Sequence, residues 1–431
     1  MSEIATILVS SFRGGSMKRV TQIKILKELM DQLDRKKNID AGCQLKNPTT
    51  SYVNRELADR EWTEFFRTHP QMVGLSGDLP RPGSYLTLQD FGVPILATRD
   101  KKGVFHAFLN ACRHRGTRLT SEQCGEQEHF VCPFHNWTYK NTGELVGIAR
   151  EQDFGNIDRT QFGLIELPSA EKHGLLWVHP DPNGNLDPEL LLGELGPEIE
   201  SWNLSQQVFT DESILNKKLN WKLANDTFGE TYHFTRLHKN TVSRIFYGDA
   251  LAYETFGRNH RFCFPTRGID TLRTKPETEW RMDTGAAVVY YLFPNIQLVP
   301  SEKQITLFRI YPDPKDPSRS TTRIRQYFSP SILESIDEAK ALGRPVIDAS
   351  TVYEPDSRGG GSIFGPDASR EVFISTLDQE DYAMGESTQR AAEAGVLKHL
   401  IFGRNEPALH HFHSTFRDAL NLPPLERISE P

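Results

Sequence analysis

Two short stretches constrain this chain more than any others: "CRHRG" at residues 112–116 and "CPFHNWTY" at residues 132–139. The first offers Cys112 and His114, the second Cys132 and His135. Two Cys and two His in two loops can close one four-ligand site. A structural zinc takes such a set tetrahedrally. A [2Fe–2S] centre takes it as two Cys on one iron and two His on the other. Zinc fingers usually carry a pair of His in a helix, or two C-x-x-C knuckles; here each loop gives one of each. That arrangement favours the cluster, held on the hairpin tips of a small β domain.

The other cysteines do not compete for this role. The chain has five, at 43, 112, 124, 132 and 263, an odd number too sparse for a disulfide framework. A net charge of −7 argues against a nucleic-acid binder, which would show a basic patch. The early apolar run "IATILV" is too short for a signal-peptide core or a membrane span. The expected location is the cytoplasm, with no membrane or nucleic-acid partner.

The 431 residues suggest two or three domains. Residues 1–16 read as a tail, and 1–69 as an N-terminal helical segment packing on the later domain, with helices near 17–36 and 53–68. From 70 to 180 short apolar runs alternate with turn signals such as "RPGS" and "RDKKG", the texture of a small antiparallel domain. Residues 181–431 mix helices with long strands, "AAVVYYLFPNIQLVP" and "ITLFRIYP". "DSRGGGSIFGPD" (356–367) reads as a glycine-rich loop. Thr376 with Gln379 reads as a capping box opening a final helix near Ser375.

The paired loops resemble the Rieske [2Fe–2S] fold. The residue after the second His is often Gly or Ala in that family, and here it is Asn136. Respiratory Rieske proteins carry an extra Cys in each loop; Thr117 and Phe134 stand at such positions, and Cys124 has no partner. The resemblance is therefore to the soluble, lower-potential type.

A second constellation lies in "NWKLANDTFGETYHFTRLH" (220–238). Glu230 and His233 share a face on a helix. His233 and His238 fall roughly 140° apart on an ideal helix. They can share an ion only if the helix ends or distorts near Thr235 and Arg236. Two His and one carboxylate form the facial triad of non-haem Fe(II) oxygenases. Asp381 is the expected carboxylate, Asp378 the alternative, and Glu380 is expected to point away.

E-x-Y-H-x4-H followed by a distant helical acid is similar to the large (α) subunit of Rieske non-haem iron oxygenases. The resemblance implies an α+β fold: an all-β Rieske domain plus a helix-grip (START-like) antiparallel-sheet catalytic domain. It implies His233, His238 and Asp381 on mononuclear iron, Cys112, His114, Cys132 and His135 on the cluster, and Glu230 as a bridging carboxylate. Asp226 stands where several members have Asn, and is a further candidate catalytic residue. The resemblance also implies a homotrimer (α3), or α3β3 with a small β subunit. The cluster of one subunit would then face the iron of its neighbour, linking His135, Glu230 and His233. Electrons would come from NAD(P)H through a reductase or ferredoxin, because the chain shows no dinucleotide fingerprint of its own. Arg113, Arg115 and Arg118 could dock such a donor or be solvated. O2 and a small aromatic or amine molecule are the expected substrates, for hydroxylation, dihydroxylation or oxidative demethylation. Phe246, Tyr247, Tyr290, Tyr291 and Phe293 are pocket candidates, each more readily read as core because strands of such a sheet bury aromatics anyway. The other readings are a Rieske electron carrier and a zinc-stabilised helix-grip protein that only binds a ligand.

Overall fold

The computed structural model describes residues 17–343, 346–347, 363–364 and 366–429. The tail expected over 1–16 and most of the glycine-rich loop expected over 356–367 lie outside the described residues.

The helix Arg19–Arg35 buries Gln22, Ile25, Leu26, Leu29 and Met30, spaced to form one stripe. That stripe joins Tyr290, Leu298, Leu307 and Tyr327 in one core on one face of the large sheet. A second helix, Arg55–Glu61, runs on into a π-helical turn, Trp62–Arg67. Its Asn54 cap accepts the Leu57 N–H at 2.8 Å. Glu61, at the join, is buried. It accepts from Trp221 Nε1 at 2.7 Å and Lys222 Nζ at 2.6 Å. Those two contacts fix the start of the helix Trp221–Asp226, from which the chain runs on toward His233 and His238.

Three small antiparallel sheets follow the texture change near residue 70. Five strands order as Glu166–Leu167, Phe105–Leu109, Ile95–Arg99, Ser84–Leu88 and Cys124–Glu126. Three more, His129–Val131, Thr138–Lys140 and Leu145–Gly147, carry the second Cys/His loop at a hairpin tip. The third sheet joins Gln71–Leu75 to Leu175–Val178 and Ser169–Lys172. Both expected turns form. In the second, Asp100 Oδ1 accepts from Lys102 N and Val104 N, both at 2.8 Å.

The large sheet has seven antiparallel strands, in the order Val208–Lys217, Ser320–Phe328, Gln304–Pro312, Ile296–Pro300, Ala286–Leu292, Asn259–Pro265 and Ala252–Phe256. Side chains alternate between its faces. Tyr290 therefore packs against the N-terminal helix, while Tyr291, Phe308 and Ile310 pack under Trp221, Tyr382 and Phe412. The late helical segment crosses this second face. It runs from Pro366 to Thr376, then through a π-helical stretch Leu377–Asp381, then from Tyr382 to Glu393. This corrects the expected start near Ser375. Pro366 begins the helix, a position where its missing N–H costs nothing. Thr376 lies inside with φ −64° and ψ −53° and caps nothing.

A buried ion cluster locks the small sheets to the large one. Glu212 meets Arg325 at 2.8 Å and Arg309 at 3.2 Å on the large sheet. Arg325 also meets Asp78 at 2.9 Å, and Arg323 meets Asp90 at 2.6 Å. Among the described residues no helix is long and apolar enough to cross a membrane.

Candidate metal centres

The structure brings all four residues of the first constellation together, but only the Cys132/His135 loop is a hairpin tip; the Cys112/His114 loop, expected at one too, links Phe105–Leu109 to Cys124–Glu126, which are not paired. Cys112 and Cys132 are buried in one cluster with Trp137 and Tyr139. The His114 and His135 rings lie 4.7 Å apart. His114 stacks on Trp137 and His135 on Phe134, with ring centroids 5.2 and 3.8 Å apart. Each loop is closed by its own backbone. Cys112 N–H donates to Thr117 O, and Cys132 N–H to Trp137 O, both at 2.8 Å. The Tyr139 hydroxyl lies 3.4 Å from Cys112 Sγ. It accepts the Arg113 N–H at 3.0 Å, so its own proton is free to face the sulfur.

The donor chemistry fits a [2Fe–2S] cluster. His135 Nδ1 is buried and has no hydrogen-bond partner among the described residues. A buried orphan nitrogen is costly unless something coordinates it. Burial, outweighing two backbone N–H donors, and the neighbouring Cys112 push the Cys132 thiol up, so a cationic centre is what would hold Cys132 as a thiolate. Burial and the His135 charge hold His114 below its ordinary value, favouring the neutral ring that a metal needs.

Asn136 takes φ 57°, in the left-handed region. There Gly is free of strain and Asn is tolerated, which accounts for Asn136 at this corner. Of the loop arginines, Arg113 is tied to Gly163 O at 2.8 Å and Arg118 to Gln89 at 2.9 Å. Arg115 is exposed, 5.2 Å over the Phe134 ring.

The second constellation also assembles. The helix ends at Asp226, and residues 227–241 form irregular bends and turns, with no helix over His233 to His238. The break needed between His233 and His238 is therefore present, and it starts earlier than expected. Glu230 still meets His233: its Oε2 accepts the His233 N–H at 3.1 Å, and its Oε1 engages Nδ1. His233 and His238 turn their Nε2 atoms onto one oxygen, Asp381 Oδ1, at 3.3 and 3.1 Å. All three ligand atoms lie within 4.8 Å of one another. Ligands bonded at about 2.0–2.2 Å to one ion sit roughly 3 Å apart, so this set fits a small divalent metal.

Asp378, the alternative, is turned away onto Lys217. Glu380 is a correction. It was expected to face away, yet its Oε2 lies 2.6 Å from His238 Nδ1 and accepts from Thr241 Oγ1 at 3.0 Å. The cause is the π-helical stretch Leu377–Asp381, whose wider winding breaks the ordinary helical spacing. Asp226 is not part of the triad. Its oxygens accept from Tyr52 OH at 2.9 Å and His413 Nε2 at 2.8 Å. Next to it, Asn225 Oδ1 accepts from Gln297 Nε2 at 2.9 Å.

Of the pocket candidates, Tyr290 bonds Glu198 and Trp202 in the opposite core. Tyr291 donates to Pro294 O at 2.7 Å, and Phe293 packs on Phe65. Tyr247 donates to Asp270 at 2.6 Å. Only Phe246 joins an aromatic cluster beside the triad, with Phe234, Phe262 and Phe264. Phe234 contacts both His233 and His238, with ring centroids 5.0 and 5.7 Å apart. Sequence reasoning missed Phe262 and Phe264, although their strand alternation was a usable signal.

Comparison with known proteins agrees with this geometry. Residues 69–159 match the Rieske [2Fe-2S] domain, and residues 199–422 match the ring hydroxylating alpha subunit (catalytic domain). A glycine betaine monooxygenase oxygenase subunit of Pseudomonas aeruginosa is 27% identical over 46% of this chain and 46% of its own length. The anthranilate 1,2-dioxygenase large subunit of Acinetobacter baylyi is 32% identical over 39% of this chain and 37% of its own. These alignments span less than half the length of those relatives. Choline monooxygenase of Amaranthus tricolor is 22% identical over 96% of this chain and 86% of its own. Among solved structures, the quaternary ammonium Rieske monooxygenase CntA superposes with TM-score 0.69 at 17% identity, covering 89% of this chain and 97% of that one. Naphthalene 1,2-dioxygenase from Rhodococcus sp. gives TM-score 0.61 at 18% identity, over 93% and 98%. The α+β architecture, with its Rieske domain and antiparallel-sheet catalytic domain, is the one these folds share. With both donor sets in place and a catalytic-domain match over more than half its length, the chain belongs to the ring-hydroxylating α-subunit family of Rieske non-haem iron oxygenases.

Proposed function

We propose that the protein is the terminal oxygenase component of a multicomponent Rieske oxygenase. It would take O2, and electrons from a NAD(P)H-dependent reductase or ferredoxin, to hydroxylate, dihydroxylate or oxidatively demethylate a small aromatic or amine substrate. One observation carries this reading: the His233–His238–Asp381 set stands in the same chain as a complete Cys112/His114/Cys132/His135 set. A carrier needs only the second set, and a ligand-binding module needs neither.

When bound, the cluster would supply electrons one at a time and the mononuclear iron would supply the place for O2. The chain's residues do the rest. Glu230 holds His233 by its Nδ1 edge and its backbone. Both remain partly exposed, at 15% and 18% of their side chains, as a link to another subunit requires. In a homotrimer that link would reach His135 of a neighbouring copy, whose half-buried ring sits between the exposed Phe134 and Asn136. Phe234, Phe246, Phe262 and Phe264 would wall the substrate side, excluding water and holding a ring or, by cation–π contact, an ammonium group. The cytoplasm is the proposed location.

The test is product formation. Loaded protein, a surrogate reductase and 18O2 would be offered glycine betaine, anthranilate and a dimethyl phenylurea. Label in a hydroxylated product, or formaldehyde from a demethylated one, supports the reading. Iron-loaded, reducible protein that consumes no O2 with any member of a broad aromatic and amine panel would overturn it.

A further inference from the structure

The two metal-facing histidines are held from behind by different carboxylates. His233 has Glu230; His238 has Glu380, at 2.6 Å from its Nδ1. His238 is the more enclosed ring, 2% exposed against 18% for His233. Thr241 Oγ1 donates to the same Glu380 oxygen at 3.0 Å and fixes its rotamer. The backbone is arranged for this contact. In the π-helical stretch Leu377–Asp381, consecutive residues Glu380 and Asp381 reach opposite edges of one imidazole. The Asp378–Lys217 ion pair ties the same stretch to the edge strand of the large sheet.

We infer that Glu380 is a positioning residue for the mononuclear metal: it accepts a hydrogen bond from the Nδ1–H of His238, so that Nε2 faces the metal beside Asp381. This inference rests on the triad reading above. A ligand's second nitrogen must donate somewhere, and its acceptor fixes both tautomer and ring direction. An ionised acceptor also makes the ring a stronger ligand. The structure thereby divides two tasks. Glu230, on the more exposed ring, serves the link to another subunit; Glu380, on the enclosed ring, serves metal retention.

The experiment follows metal retention without turnover. Holoprotein variants E380A, E380Q, T241V, E230Q and H238A would be mixed with a ferrous chelator, and loss of the mononuclear iron timed. The cluster's EPR signal and the thermal midpoint report folding. Glu380→Ala should release iron about 10–100-fold faster than wild type. Glu380→Gln, which still accepts a hydrogen bond, should fall between, and Thr241→Val should show a smaller loss. Glu230→Gln should release iron more slowly than Glu380→Ala. If Glu380→Ala retains iron as wild type does while His238→Ala loses it, the inference fails and the triad stands. If His238→Ala also retains iron, the triad reading itself fails. Should Glu380→Ala not fold, the order of Glu380→Gln and Thr241→Val against wild type decides, and wild-type rates in both would overturn the proposal.

Discussion

Gly116 and Asn136 stand at equivalent corners of the two cluster loops. Both have positive φ, 73° and 57°. Gly116 N–H donates to Cys112 O at 2.8 Å, and Asn136 N–H to Cys132 O at 2.9 Å. The loops thus repeat one turn, and Asn fills in one the place Gly fills in the other. Asn136→Gly should keep cluster occupancy and thermal midpoint. Asn136→Val, which resists this region, should cost about 1–2 kcal/mol and reduce cluster absorbance. Equal midpoints for the two variants would contradict this.

Glu230→Gln removes a charge from the proposed link between subunits while leaving both donor sets. Iron content and the cluster's EPR signal should match wild type. Reoxidation of the reduced cluster in single turnover should slow by a large factor, on the order of the 10–100-fold seen when a metal ligand loses its outer partner. A wild-type rate would show that the electron does not use this residue.

Metal uptake should depend on pH in a set direction. In the metal-free protein, burial disfavours a charged His233, but hydrogen bonds to Asp381 and Glu230 outweigh it and raise the ring to about 9. A raised value means that the proton stabilises the metal-free fold fully below the ordinary 6.5, and that this stability is lost as pH rises through about 9. Iron needs the neutral ring, so its apparent affinity should fall as pH drops below about 9. Titrating Fe(II) into weakly buffered metal-free protein at pH 7 should release at least about one proton per iron. No proton release would refute the protonated state of His233.

Glu212 is the hub of the ion cluster between the sheets. Burial works against its charge, but Arg325 and Arg309 hold it below the usual carboxylate range. Glu212→Ala would leave buried guanidinium groups underpaired, at a cost of about 3–5 kcal/mol. Denaturant titration should show the loss, with the cluster signal intact in the native baseline. A change under about 1 kcal/mol would mean that Asp78 and Asp90 suffice.

Much of this site was legible because metal ligands must be particular residue types at short spacing. The candidate ligands Cys112, His114, Cys132, His135, His233 and His238 all stood out that way. Asp381 needed the family pattern, since an acid on a helix is usually solvated. Local backbone departures were not legible. The π-helical stretch at Leu377–Asp381 turned Glu380 inward against the ordinary helical period. The left-handed corner at Asn136 left no mark beyond the residue itself. Sheet faces were only half readable: Tyr290 and Tyr291 had to lie on opposite sides, but which side faced the triad depended on packing from distant helices.

Counting iron tests the central claim most directly. Purified wild type should hold about three irons per chain, two in the cluster and one at the triad. His233→Ala should hold about two, with an unchanged Rieske EPR signal. Two irons in wild type, or the same count in both proteins, would contradict the assignment of His233, His238 and Asp381 as an iron site.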